Sequence, residues 1–342
     1  MKNRLRTSLL FAVPAGILLS CLLCLLLSDA PLEAMKGFFF GPLKSIYNLG
    51  GMLNSAIPLL FGALASSIAI KSGNLNLGGE GQVYAGGFVA TALALSLGDA
   101  GIPGVILCVG AGALVAGSAG ALSGFAKMKW KTNEMISSFL LSCTIVLIVD
   151  RLITGPFMDR GSNLLTTAKV SRSMWLSYIL LPSQLSSAIF IALAAAILMK
   201  LLLCRTRFGL KLRLTGQSYR FAVYSGIRTG FYTWFPMFLS GALYGTGGAL
   251  AVFGTYHSCL KSFHSNMGWN GLAVALLAGA DPVAAIPAAI FYAWIESGAR
   301  IAMQSTTVSA RIASVIQAAV FLLITCSVFD RRATARIEGG SR

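Results

Sequence analysis

The segment Lys71-Ser72-Gly73-Asn74-Leu75-Asn76-Leu77-Gly78-Gly79-Glu80-Gly81-Gln82 lies between two long apolar runs, and its reading decides the fold. Amides, one carboxylate and glycines interrupt sequence that is otherwise suited to lipid. Hydrocarbon holds no water to satisfy loose backbone groups. Non-helical chain therefore survives at membrane depth only where protein buries it or a wet cavity borders it. Asn74, Asn76 and Gln82 offer donors and acceptors, Glu80 offers an acceptor charge, and Gly73, Gly78, Gly79 and Gly81 allow unusual backbone angles and close approach. Two readings stand here: an ordinary turn with a hydrated Glu80, or a broken helix of the kind that lines solute paths in transporters.

The sequence around it favours a membrane. Of 342 residues, 56% are hydrophobic and 11% charged, with a mean hydropathy of +0.76, whereas soluble domains carry about 25% charged residues. No polar stretch reaches the roughly 50 residues of a small soluble domain. The expected fold is one all-α domain over 1–342, a polytopic bundle of about ten membrane-crossing or membrane-buried helices. They fall near 8–27, 53–70, 82–97, 103–126, 134–149, 183–204, 231–253, 266–279, 283–299 and 309–329. The third and eighth are short for a core of about 30 Å, which leaves room for half-helices or re-entrant pieces.

The net charge of +16 does not point to nucleic acid, because most of the 27 Lys and Arg fall on one side of this span map. Lys2, Arg4, Arg6, Lys127, Lys129, Lys131, Lys200, Arg205, Arg331 and Arg332 are among them. That bias marks the cytoplasmic side. An even number of spans puts both basic termini there, with 71–81, 127–133, 205–230 and the turn at 280–282. The segments 28–52, 98–102, 150–182, 254–265 and 300–308 then face outward. Leu18-Leu19-Ser20-Cys21 resembles a lipoprotein cleavage site, but the apolar run continues to Leu27. That exceeds a signal-peptide core of about 7–15 residues, so a retained first helix is expected.

Small residues at Ala116, Gly120 and Gly124, and at Gly241 and Gly245, read as stripes for close helix packing. The seven cysteines give no disulfide framework, and Cys21-x-x-Cys24 lacks the βαβ context of a redox motif. His257 and His264, with Cys259 between them, match no familiar metal spacing, so no metal site is expected. No cofactor is implied either. The chain contains no G-x-x-x-x-G-K-[ST] loop and no Ser/His/Asp grouping, so neither nucleotide hydrolysis nor ester hydrolysis is expected of it. Asp150-Arg151 and Asp159-Arg160 read as solvated outer pairs worth little energy.

Two further stretches carry chemistry. In 205–230, Arg205, Arg207, Lys211, Arg213, Arg220 and Arg228 interleave with Phe208, Leu210, Leu212, Leu214, Tyr219, Phe221, Val223 and Tyr224. Such an amphipathic segment lies on anionic lipid or docks into a partner groove, and the residues alone leave both open. In 262–304, Gly268-Trp269-Asn270-Gly271 precedes an apolar run, Asp281-Pro282 makes a tight turn, and Glu296 and Arg300 are placed to pair on one helical face.

Together these stretches resemble the membrane-spanning permease subunits of bacterial ABC importers, in the branch covering nucleoside-type and simple-sugar-type systems. That branch reads approximately G-x-x-N-[IL]-G-x-E-G-Q, and Gly73 to Gln82 give G-N-L-N-L-G-G-E-G-Q. The E-G-Q ending is usual in the nucleoside-type members. Thr132-Asn133-Glu134-Met135-Ile136 looks like that branch's N-E-V-I element, Gly209 to Gly216 with Ala222 and Ser225-Gly226-Ile227 resembles its cytoplasmic coupling element, and Gly268 to Gln304 is similar to its G-x-G-x-x-G-I-A-V-A-L-L-G stretch. Two departures stand out: Gln217 to Ala222 lacks the usual Pro, and Ser137 and Ser138 replace a Thr pattern.

The resemblance implies a permease of the bacterial cytoplasmic membrane, embedded in lipid. It would pair with a second permease, homologous or identical, with two cytoplasmic ATPase subunits and with an extracytoplasmic substrate-binding (lipo)protein. Asn74, Asn76, Glu80, Gln82, Trp269 and Asn270 would line the solute path. Gly209, Arg213, Gly216, Gln217, Ala222 and Gly226 would couple to the ATPase within 205–230, and Asp159, Arg160, Lys169 and Arg172 would receive the binding protein on the outer loop 150–182. The solute would be a nucleoside or a riboflavin-like heterocycle, with a simple sugar or a branched-chain amino acid as the alternative. An ion-driven secondary transporter is the competing class, but it would call for intramembrane acids beyond Glu80, Glu134 and Glu296 and for two symmetric halves. A non-transporting scaffold or lipid enzyme is a more remote one.

Overall fold

In the computed structural model the described residues are 31–305. The expected spans at 8–27 and 309–329, both termini and the Leu18–Cys21 site lie outside them.

The described chain is helical, with isolated bridges but no strand among these residues. Its helices are α1 (Pro31–Phe40), α2 (Ile46–Lys71), α3 (Gly79–Leu97), α4 (Gly101–Trp130), α5 (Glu134–Ile153), α6 (Ala188–Arg205), α7 (Arg207–Gln217), α8 (Tyr219–Tyr224), α9 (Thr229–Ala251, continued by a π-turn at Val252–Tyr256), α10 (Met267–Leu277) and α11 (Ala285–Ser305). Each span expected between 53 and 299 is there. Not expected were α1, the early start of α2, and the two short helices within 205–230. The chain is an integral membrane protein: α2, α4, α5, α6 and the run Thr229–Tyr256 are each long and apolar enough to cross a bilayer.

Side-chain caps set several boundaries. Asn133 accepts from the N–H of Met135 to start α5, Thr206 accepts from Gly209 to start α7, and Ser218 accepts from Phe221 to start α8. Lys131, in the left-handed region at φ 53°, ends α4.

The chain divides into two compact units. In the smaller one, within its described part 31–52 and 290–305, Phe38, Phe39, Phe291 and Trp294 stack edge to face or tilted. The Trp294 indole donates to the Phe39 carbonyl at 3.2 Å. Glu296 and Arg300 lie 3.8 Å apart, one helical turn from each other, as their spacing requires.

The larger unit, Leu53–Ala289, holds every site considered below. At its centre α3 and α9 cross α4. The two small-residue stripes meet each other: a Cβ on Gly241 would stand 2.3 Å from the Ala116 carbonyl, and one on Gly245 would stand 2.4 Å from the Ala116 methyl. Backbones this close gain dispersion contacts that larger residues would forbid. Helix α3 is not itself a long apolar span, and it need not be, because Gln82, Val83, Tyr84, Gly86 and Gly87 are buried in protein rather than lipid. By contrast α5 is only 22% buried along its apolar window, against 83% for α2. Leu147 on α5, Ile106 on α4 and Leu198 on α6 are each at least 65% exposed.

One end of this unit gathers α7, α8, the α4–α5 turn and the α10–α11 turn. In that last turn Asp281 pairs with Lys200 and accepts from the N–H of Val283 at 2.9 Å and of Ala284 at 3.3 Å. Burial alone would raise the Asp281 pKa, but the Lys200 ammonium and the two N–H groups outweigh it and hold the carboxyl below its ordinary range. A depressed folded-state pKa adds stability above the unfolded value, and that stability is lost as pH falls through the folded one. Asp281→Asn should therefore flatten the acid side of the unfolding profile in detergent, read by thermal melts between about pH 3 and 7.

Candidate functional site at the chain break

Between α2 and α3 the chain leaves the helix at Ser72 and re-enters it at Gly79. This irregular segment is not a solvated turn. Asn74, Asn76 and Gln82 are 5%, 1% and 2% exposed, so each polar atom needs a partner inside the protein. The Asn76 amide donates to the Gln82 carbonyl oxygen at 2.8 Å and to the Ser240 hydroxyl at 2.9 Å, and its own oxygen accepts from the N–H of Gly78. Asn74 donates to the Thr233 carbonyl at 3.0 Å and accepts from the Lys127 ammonium at 2.8 Å. Lys127 in turn pairs with Glu134 at 2.8 Å. Helix α5 supplies two hydroxyls one turn apart: Ser138 accepts from the N–H of Leu77 and Ser142 from that of Gly81. The departure from the Thr pattern thus leaves a hydroxyl that serves the break.

Glu80 marks its upper end. One carboxyl oxygen accepts from the N–H of Gly268 at 2.9 Å and of Trp269 at 3.1 Å, so Glu80 satisfies two of the N–H groups that the first turn of α10 leaves without a helical partner. The other oxygen lies 3.7 Å from Nε2 of His264. Burial lowers the His264 pKa below its ordinary value, with the Asp150 carboxylate opposing, so the imidazole is neutral near pH 7 and this contact is not a full ion pair. The turn before α10 is strained: Ser262, Ser265 and Asn266 all have positive φ. Left-handed backbone costs such residues on the order of 1–2 kcal/mol each. The Tyr84 hydroxyl holds the turn by accepting from the N–H of Ser262 at 2.9 Å while donating to Asp150 at 2.6 Å. Asp150 is therefore tied inward rather than engaged with Arg151 as a solvated pair.

Glu80 and Trp269 border a cavity of about 530 Å³. Leu77, Phe139, Ser142, His264 and Asn266 share its wall, and the Phe139 and Trp269 rings stand 6.3 Å apart. One carboxyl group and two aromatic rings thus meet hydroxyls and an imidazole in one recess. Of the residues expected on the path, Glu80 and Trp269 face it. Asn74, Asn76 and Gln82 lie behind, bonded into the break, and Asn270 sits half-buried one position along α10. His264, Ser138, Ser142, Ser240, Tyr84 and Lys127 were missed. One sequence signal available was the i, i+4 pair Ser138 and Ser142 on a largely apolar helix.

The structure divides the expected coupling residues. Gly209 and Ala222 are buried, a Cβ on Gly209 lying 2.2 Å from the Leu202 carbonyl, and Arg213 is half-buried with its Nε 3.4 Å from the Gly209 carbonyl. Gly216 faces inward, onto the Lys71 carbonyl. Gln217 and Gly226 are exposed, as are Tyr219, Phe221, Val223 and Tyr224, the last at 90%.

At the opposite end, 154–187 folds together with 257–266 through bridges such as Thr166 to Leu260. Arg160, Lys169 and Arg172 are exposed there, while Asp159 accepts from the N–H of Gly161 and closes its own turn. The Trp175 ring lies between the Arg172 guanidinium, at 5.6 Å, and the His257 imidazole, stacked at 3.7 Å. Burial, then the Lys169 cation, pushes the His257 pKa down, so it too is neutral.

Residues 48–325 match the family described as branched-chain amino acid transport system / permease component. A probable riboflavin import permease protein of Treponema pallidum is 34% identical over 92% of this chain and 83% of its own length. A nucleoside ABC transporter permease protein of Lactococcus lactis is 28% identical over 95% and 92%. A glucose ABC transporter permease protein of Haloferax volcanii is 27% identical over 88% and 82%. No solved structure matches the chain.

Proposed function

We propose, from the premise that this chain belongs to the branched-chain amino acid transport system permease component family, that it is the membrane subunit through which an ATP-driven importer takes up a nucleoside or a riboflavin-like heterocycle. It is a transporter component and not an enzyme. One observation supports the cargo best: Phe139 and Trp269 offer ring faces beside the Glu80 carboxylate. A planar heterocycle stacks on such faces and presents ring N–H groups to the carboxylate and hydroxyls. Relatives named for riboflavin and for nucleosides agree with this reading. The relative named for glucose supports a second reading, a simple sugar, which uses the same aromatic and acidic chemistry. Uptake of labelled riboflavin, adenosine and glucose by proteoliposomes, each competed by the other two, decides between them.

The cavity also supports a second permease. Trp269, Phe139, Cys143 and Leu147 on its rim are exposed. A recess carrying an acid and hydroxyls is costly against hydrocarbon, whereas a facing subunit, homologous or identical, would enclose it. Two ATPase subunits would dock on α7 and α8, where exposed aromatic side chains have no partner of their own element to cover them. A substrate-binding protein would seat on 154–187, with Arg160, Lys169 and Arg172 as its contacts. ATP-dependent closure of the ATPases would then rock the two permeases between outward- and inward-facing states. An ion-driven carrier would instead run on a gradient with this chain alone, so uptake that needs neither nucleotide nor ATPase overturns the reading.

Orientation has its own test. With the native cysteines replaced, a cysteine introduced by Arg160→Cys should react with a membrane-impermeant maleimide in intact cells, and one introduced by Tyr224→Cys only after permeabilisation. The reverse pattern inverts the assignment of ends.

A further inference from the structure

The functional proposal treats 205–230 as the place where force arrives and the cavity as the place where solute passes. The inference here rests on that reading and concerns what lies between them. The last turn of α7 touches the break directly. A Cβ on Gly216 would stand 2.3 Å from the Lys71 carbonyl and 2.7 Å from the Gly73 nitrogen, and one on Gly73 would stand 2.9 Å from the Gly216 Cα. Gly73 also has φ +77°, a conformation open to glycine and strained for others. The contact is backbone on backbone, with no flexible side chain to absorb a displacement.

From Gly73 onward the segment has no hydrogen-bond ladder of its own until Gly79. Its polar groups are bonded to one another and to other helices instead. Lys127 of α4 reaches Asn74 at 2.8 Å and the Gly73 carbonyl at 3.5 Å while pairing with Glu134 of α5. Thr233 and Ser240 of α9 hold Asn74 and Asn76. Ser138 and Ser142 of α5 hold Leu77 and Gly81. The far end, Glu80, accepts from the second and third N–H groups of α10, those of Gly268 and Trp269, at the edge of the cavity. A segment held by side chains of several helices at once is stiff, and it changes by exchanging sets of bonds rather than by yielding gradually.

We propose that Gly216, Gly73 and Lys127 are positioning residues of the transport step: they pass a displacement of α7 into residues 72–78 and, through Glu80, to the start of α10 beside the solute cavity. Gly216 supplies the contact, Gly73 receives it, and Lys127 keeps Asn74 from slipping against α4 and α5. None of the three touches solute in this arrangement.

The test uses the complete complex in proteoliposomes and reads solute imported per ATP hydrolysed, with labelled riboflavin and labelled adenosine as probes. Gly216→Val should keep the ATPase bound and hydrolysing while this ratio falls about tenfold or more. Lys127→Met should lower the ratio several-fold, on the order of fivefold, and Lys127→Arg, which keeps the cation, should restore most of it. A purely structural role would lower assembly and hydrolysis together and leave the ratio alone. If Gly216→Val does not assemble, Gly216→Ala decides by the same ratio. An unchanged ratio in the Gly216 and Lys127 variants overturns the proposal, as does loss of the ATPase from an otherwise folded Gly216 variant, which would place Gly216 in the docking face. Failure of the underlying functional reading shows itself elsewhere, as an ATPase that stays bound when the exposed side chains of α8 are made acidic.

Discussion

Glu80→Ala is expected to abolish most uptake while leaving the complex assembled. The substitution removes one acceptor that serves two donors, the N–H groups of Gly268 and Trp269. A hydrogen bond contributes about 1 kcal/mol net, and the buried Gly268 donor left stranded adds a desolvation cost of about 1–3 kcal/mol. A loss of roughly 3 kcal/mol from the state that fixes the start of α10 changes its population on the order of a hundredfold. The rest of the bundle does not depend on this carboxylate, since the α4–α9 crossing is made by small residues far along other helices. Glu80→Gln retains one carbonyl acceptor and should fall between wild type and Glu80→Ala. The measurements are initial uptake rate in proteoliposomes and elution of the complex by size exclusion. Wild-type uptake by Glu80→Ala would reduce the break to scaffolding and detach the cavity from transport.

The second large effect belongs to α8. Phe221 and Tyr224 are 53% and 90% exposed, so replacing both with Glu removes almost nothing from the packing of this chain. If they fill a groove on an ATPase, each buried aromatic contributes about 2–3 kcal/mol. The pair should then weaken binding by at least a hundredfold. Affinity purification of the permease should recover no ATPase, with expression and membrane insertion unchanged. Retention of the ATPase, combined with weaker association of an α7–α8 peptide with anionic vesicles, would assign the segment to the lipid surface instead. That alternative was open in the sequence, because basic residues interleaved with aromatics suit either neighbour. The structure adds a physical difference: Gly209, Leu212 and Ala222 turn inward onto the bundle, which leaves α8 and its aromatic side chains standing clear.

The helices were legible because a bilayer imposes a length on them and an apolar run announces it. The small-residue stripes on α4 and α9 were legible as packing surfaces, though not as partners of each other. Elements without a long apolar signature were harder. Helix α1 is short and sits in what read as an outer connection. The coupling residues were grouped by motif, but Gly216 and Gln217, neighbours in sequence, face opposite ways because a helix turns about 100° per residue.

The interrupted stretch at 71–82 could be recognised from composition alone, and so could its membrane setting, since amides and glycines between apolar runs have few stable outcomes where water is absent. Which of its polar groups border the cavity and which hold the chain was decided only by folding. Asn74, Asn76 and Gln82 found partners on α4, α9 and within the break itself, whereas Glu80 reached across 188 positions to Gly268. Local sequence fixes what a residue can bond, but the choice of partner for a buried polar atom depends on which distant backbone arrives beside it, and close packing decides that for the whole bundle at once.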